Sequence, residues 1–340
     1  MARTERSRIQ VRGLARPLLV RRRKPPPIPQ PESLGDRWRE IEHNGLRWID
    51  LRGRITDADA EALGKRFDFH PLAVDDISSR VQRPKLDDYD DYLFLVMHFP
   101  KFNREEGVAE PREVDFFLGP DYVITLHDGT LPPLLRFRAR LEEDEDARTE
   151  YMGGGAEMLL YHILDRLTNY LFPIMTRIDH NLDELDTRIF RGDARRAVRE
   201  LATYRRDIIS LRRIIRPGML VVSILENGRA SLLDRELEPY WGDIADHFGR
   251  VWDMLGEFKE EVEGFDDTFN TLYSYRTNET LRALTLISVI ILPLSLITGV
   301  YGMNVALPSE ANTHVFSYIM IFMLMLTIAM LVFFRRKGWW

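Results

Sequence analysis

Residues 277–304 read TNETLRALTLISVIILPLSLITGVYGMN, and the reading of this stretch decides the architecture of the whole 340-residue chain. Ala283–Val300 runs for 18 residues without a charge, and Val315–Phe334 adds 20 more. At 1.5 Å per residue these predict helices of about 27 and 30 Å, enough to cross a hydrocarbon core of about 30 Å. The competing reading is a core helix of a soluble domain. Residues 301–314 and 335–340 offer too little chain to wrap one, so two transmembrane helices are expected. Arg335, Arg336 and Lys337 follow the second span, Arg276 and Arg282 precede the first, and the loop from Tyr301 to His314 has no Lys or Arg. The positive-inside rule then predicts a multi-pass protein with both termini cytoplasmic and the Tyr301–His314 loop outside, and the inner (plasma) membrane is its expected location.

The two spans differ in kind. The second is almost wholly apolar, whereas the first carries Thr285, Ser288, Pro293, Ser295, Thr298 and Gly299. Ser288, Leu292, Ser295 and Gly299 are spaced by four, three and four, which puts them on one helical stripe. Such a stripe reads either as small-residue helix packing or as the hydroxyl-lined wall of an aqueous path. At this level both remain open.

Upstream, Pro239 suits the first turn of a helix. After it Ile244, Phe248, Val251, Leu255, Phe258, Val262, Phe265, Phe269 and Leu272 alternate by four and three. This pattern predicts helices packed side by side, on one continuous helix from about Trp241 through the first span. A flank of Glu257, Glu260, Glu261, Glu263, Asp266 and Asp267 against Lys259 makes this stalk acidic. Residues 151–238 read as an antiparallel helical pair, the second member basic and ending at Pro217-Gly218. Its arginine runs are expected to pair with acidic neighbours within the chain, and no nucleic-acid partner is expected.

Residues 33–150 alternate strand-like segments (LRWID, YLFLVMHF, EVDFFLG, DYVITLH) with TDADAEALGKRF, a helix capped by Thr56 or Asp57. Gly119-Pro120-Asp121 predicts a hairpin turn. Residues 1–32 hold a basic, Pro-rich tail, with nine Lys/Arg against Glu5 in the first 24 positions. The net charge of −6 conceals that asymmetry. With no cysteine there is no disulfide or thiolate site. The eight histidines form no HExxH, and neither a P-loop nor GxSxG is present, so an enzyme is not expected. His70 with Asp75 and Asp76, or the run DDYDD at 87–91, offers carboxylates to a divalent ion but lacks EF-hand spacing.

YGMN at 301–304, placed between an uncharged helix and a short loop with a second span and RRKGWW beyond, resembles the CorA family of divalent-cation channels. HPLAVDDI at 70–77 and QRPKLDDYDDYLFLV at 82–96 resemble that family's N-terminal signature. The resemblance implies an α/β cytosolic domain (33–150), a helical pair (151–238), a stalk helix (239–282) and a pore-lining span (283–300). An extracellular loop (301–314), a second span (315–334) and a cytosolic basic-aromatic tail (335–340) follow, all assembled as a funnel-shaped homopentamer in the lipid bilayer. It further implies a selectivity filter of Tyr301, Gly302, Met303 and Asn304. The pore-facing positions would be Asn278, Leu281, Leu284, Ser288, Leu292, Ser295 and Gly299. Regulatory metal between subunits would fall to Asp76 and Asp243, with Asp75 as a substitute. The implied function is uptake of Mg²⁺, gated by cytosolic Mg²⁺. The loop departs from the family pattern after the filter, where Val305-Ala306-Leu307-Pro308-Ser309-Glu310 carries one acid. This keeps Zn²⁺, Co²⁺ or Ni²⁺ as an alternative cargo. A membrane-anchored coiled-coil scaffold is the alternative of another class; it explains the heptads but not the hydroxyl stripe or YGMN.

Overall fold

A computed structural model describes residues 35–79, 82–191, 194–228, 230–303 and 314–339. The basic tail of residues 1–32, Asn304 and most of the loop after it therefore lie outside the described residues. The chain forms two compact units. One holds residues up to 97 with 113–160 and 230–234; the other holds 98–112, 161–229 and everything from 235 on.

The first unit is built on a mixed sheet of order β1-β2-β6-β5-β4-β3. Its strands are β1 (Trp38–His43), β2 (Leu46–Arg52), β3 (Lys85–Asp88), β4 (Leu93–Asn103), β5 (Val108–Leu118) and β6 (Tyr122–His127). Asn44 and Gly45, both at positive φ, close the β1–β2 hairpin. β5 and β6 pair antiparallel across the expected Gly119–Asp121 turn, and β2 runs parallel to β6. Thr56 caps α1 (Asp57–Phe67) in a full capping box with Asp59, as its sequence predicts. With α2 (Pro71–Ser78), α1 covers a face whose core includes Ile49, Leu51, Phe94, Val96, Phe117 and Ile124.

Within this unit lies a buried polar network. Asp50 accepts from Thr125 Oγ1 (2.7 Å) and Arg138 (3.3 Å), and stands 2.9 Å from His127 Nε2. The Gly129 N–H donates to His127 Nδ1 (3.0 Å), leaving Nε2 to donate to Asp50. Burial alone would raise this carboxyl, but the His127 contact, then Thr125 and Arg138, hold it down at about 2.

The remaining helices are α3 (Pro132–Glu143), α4 (Glu145–Met152), α5 (Ala156–Asn169), α6 (Leu171–Arg191), α7 (Ala194–Glu226), α8 (Glu238–Tyr301) and α9 (Val315–Arg336). Among the described residues, the stretch expected as a helical pair thus holds α5, α6 and α7, with a break at Tyr170 between α5 and α6. Nor does α7 stop at Pro217-Gly218; it continues to Glu226 with Pro217 inside. An interior proline costs about 3 kcal/mol. Here Ile214 and Ile215 before it and Val221, Val222 and Leu225 after it are all buried, so packing on both sides holds the helix through the break.

α8 is continuous over 64 residues, a rod of about 96 Å. Its heptad seam is filled by the chain itself. Ile244 through Phe265 are at most 8% exposed, packed against α7 and α6, while Phe269 and Leu272 are half-buried. The acidic flank is partly answered by Arg205 of α7, 3.0 Å from Asp266. Between α6 and α7 the polarity is opposite to the expected one: Arg188 of α6 reaches Glu200 of α7 at 2.8 Å.

Candidate functional site

The last third of α8 has two faces. Leu286, Ile290, Pro293, Leu294 and Ile297 are half-buried on the side that α9 covers. At about 100° per residue, Leu281, Leu284, Ser288, Leu292, Ser295 and Gly299 centre on the opposite side, and all are exposed. Leu281, Leu284 and Leu292 are 53, 60 and 69% exposed. Asn278, also exposed, continues this line below Leu281. Ser288 Oγ donates to Leu284 O at 2.9 Å and Thr285 Oγ1 to Leu281 O at 2.7 Å. Each hydroxyl proton is thus satisfied inside the helix, and the oxygen lone pairs are what the surface presents.

Beyond Gly299, α8 closes at Tyr301, and the Gly302 N–H donates to Thr298 O at 2.9 Å. Glycine is expected here for its torsional freedom, yet Gly302 adopts φ −88° and ψ 0°, open to any residue. Space is the actual constraint, since a Cβ would stand 2.9 Å from Thr298 O. Tyr301 and Met303 are exposed beside it. Asn304, the amide on which the filter reading depends, lies outside the described residues.

The expected metal-binding aspartates fall in separate units. In the first, Asp75 and Asp76 sit on α2 at the edge of an open cavity of about 580 Å³, which Lys85, Asp87, Asp88 and Tyr89 also line. Lys85 Nζ lies 2.6 Å from Asp76 and 2.5 Å from Asp87, so a tethered ammonium already holds both carboxylates. Burial pushes the nearby Asp115 carboxyl well above its usual range, with Glu113 and Asp76 adding and Lys85 opposing. One Asp115 oxygen has no hydrogen-bond partner among the described residues. Two further candidates have hydrogen-bond partners of their own. His70 caps α2 by accepting from the Leu72 N–H, and Asp88 accepts from the Ser231 backbone and hydroxyl.

In the second unit Asp243, in the opening turns of α8, meets His247 one turn later and Asp165 of α5. One ligand atom from each lies within 4.8 Å of the others. Burial pushes the Asp165 carboxyl up, with Asp243 adding; Arg166 and His247 oppose. His247 Nδ1 is buried without a hydrogen-bond partner among the described residues. Two carboxylates and an imidazole nitrogen suit a divalent first-row or magnesium-like ion. Sequence reasoning found Asp243 but missed His247 and Asp165. The Asp243–His247 spacing of four was visible; Asp165, far earlier in the chain, needed the fold.

Residues 43–336 match the family described as CorA-like Mg²⁺ transporter protein. The Bacillus subtilis protein YfjQ is 34% identical over 295 residues, covering 86% of this chain and 89% of that protein. The cobalt/magnesium transport protein CorA of Thermotoga maritima is 27% identical, covering 86% and 83%. Among solved structures, the complete CorA magnesium transporter of Methanocaldococcus jannaschii superposes with a TM-score of 0.77 at 20% identity. That match covers 88% of this chain and 93% of the other.

Proposed function

Because the chain belongs to the CorA-like Mg²⁺ transporter family, we propose that several copies of α8 stand around an aqueous path that carries divalent cations, Mg²⁺ first, across the membrane. The observation that carries this reading is the face of α8 turned away from α9. Among the described residues no other helix covers its hydroxyl oxygens, small residues and leucines, whereas Ile244 through Phe265 of the seam below are buried. Five copies in the inner membrane, with both ends of each chain cytoplasmic, agree with the family and with the basic residues at the ends of the spans.

Mg²⁺ gives up its water reluctantly, so oxygen donors rather than a carboxylate ring suit an entrance that must also release it. Asn304, with the carbonyls of Tyr301, Gly302 and Met303, fills that role. Leu281, Leu284 and Leu292 form apolar collars that close the path by dewetting. Cytosolic Mg²⁺ held by Asp75 or Asp76 and by Asp243, with Asp165 and His247, clamps neighbouring copies; its loss lets the acidic stalks repel and the collars part. The imidazole of His247 suits Co²⁺ at this clamp better than Mg²⁺, and Co²⁺ as a second cargo follows from the likeness to a cobalt/magnesium transport protein.

Purified protein in liposomes tests this proposal. Mg²⁺ influx should appear with the native chain and fall by an order of magnitude or more with Asn304→Ala. An anchored scaffold would give no influx at all. Competition of Mg²⁺ with Co²⁺, Ni²⁺ and Zn²⁺ in the same vesicles ranks the cargo. In a separate assay, Asp76→Ala with Asp243→Ala should weaken Mg²⁺ protection against proteolysis.

A further inference from the structure

At the basic end of the two spans, α8 and α9 enclose a cavity of about 550 Å³. Its walls are apolar, formed by Leu286, Ile287 and Ile290 on α8 and Leu331 and Phe334 on α9. Its mouth carries one acid and one base, Glu279 and Arg282, on the same turn of α8 just before the uncharged run begins. The Arg282 guanidinium lies over the Trp339 ring, 5.8 Å from its centroid, and Trp339 in turn rests 5.6 Å from Phe334. A stacked guanidinium is fixed in direction and keeps its edge N–H groups for an anion.

The chemistry of this mouth is amphoteric. A phosphate alone would meet Arg282 but be repelled by Glu279, and an ammonium alone would meet the reverse. Side chains three apart on a helix lie about 5–6 Å from each other at Cβ. A phosphodiester joined through two carbons to a primary ammonium spans that gap, with its fatty chains continuing along the apolar walls. Tryptophan at this depth is where headgroups lie. We propose that this cavity binds a zwitterionic aminophospholipid of the ethanolamine type, phosphate on Arg282 and ammonium on Glu279. A quaternary choline cannot donate hydrogen bonds to the carboxylate, and an anionic glycerol headgroup leaves Glu279 opposed to the phosphate. The site is independent of whether the chain conducts ions.

The test is native mass spectrometry of the full-length protein, with synthetic phosphatidylethanolamine, phosphatidylcholine and phosphatidylglycerol of one acyl composition added in turn. Phosphatidylethanolamine should be retained about tenfold better than the other two, the scale of a charge-assisted hydrogen bond. Glu279→Gln should erase that preference without reducing phosphatidylcholine retention, and Glu279→Asp should keep part of it. Arg282→Gln should lower retention of all three. Equal retention by the native chain, or a preference unchanged by Glu279→Gln, overturns the assignment. So does efficient disulfide formation between copies through Ile287→Cys, which would show a second chain in the cavity.

Discussion

One helix leads two lives. Between Trp241 and Phe265, α8 buries its seam residues against its own chain; between Leu281 and Val300 it leaves leucines more than half exposed. Both stretches carry apolar residues at helical spacing, but the lower one is studded with charges on its outer face and the upper one has only Arg282. What also differs is whether a partner is encoded in cis. The seam has α6 and α7, whereas among the described residues the upper stretch has α9 alone, on one side. An exposed apolar stripe of this length is unfinished in water; lipid, and in the proposed assembly further copies of α8, would complete it.

Substitutions that break or sharpen this contrast can be ranked by size. Phe248→Ala, in the closed seam, should destabilise the part outside the spans by about 3–5 kcal/mol, read by denaturant unfolding. If Leu292→Ala costs the same, the contrast is void. Asp50 probes another self-contained core. Its folded carboxyl lies at about 2 against an ordinary 3.8. The stability it contributes, about 2 kcal/mol, is therefore complete above the ordinary value and lost as pH falls through about 2. Asp50→Asn should lower stability at neutral pH by at least that much and flatten the acid limb of the stability–pH curve. Leu292→Ala itself should leave unfolding within about 0.5 kcal/mol of native. It should raise Mg²⁺ leak through the closed state by about tenfold, equivalent to 1.4 kcal/mol at the collar. The smallest effect falls to Lys85. It is partly exposed, so its ion pairs contribute below about 1 kcal/mol. Lys85→Met should free Asp76 and shift Mg²⁺ protection from proteolysis severalfold to lower concentration. An unchanged midpoint would mean that the ammonium does not compete with the ion.

Local rules made much of this molecule legible. The apolar runs, the Thr56 cap, the Gly119–Asp121 turn and the unbroken α8 each depend on a few neighbouring residues. The stripe of Ser288, Leu292, Ser295 and Gly299 was readable from spacing, though its exposure needed to be seen against α9. What escaped depends on distant partners. Pro217 inside α7 is tolerated because the packing around it outweighs a local penalty. The seam predicted side-by-side helices, but not that they come from the same chain. Asp165 joins Asp243 and His247 only through tertiary structure, and Lys85 reaches Asp76 from a neighbouring strand. At Gly302 the proximity of Thr298 O, which leaves little room for a Cβ, is invisible in a one-dimensional pattern.

The unbroken length of α8 has a mechanical consequence. From Phe265, where the seam's grip ends, to Leu292 the rod extends about 40 Å, so a lean of only 3° about that fulcrum carries Leu292 sideways by about 2 Å. That is about the van der Waals radius of a methyl group. Small slackening at the base is thereby magnified at Leu292 without any joint in between; under the proposed gating, stiffness is what carries a faint change at the foot of the rod to the proposed collar.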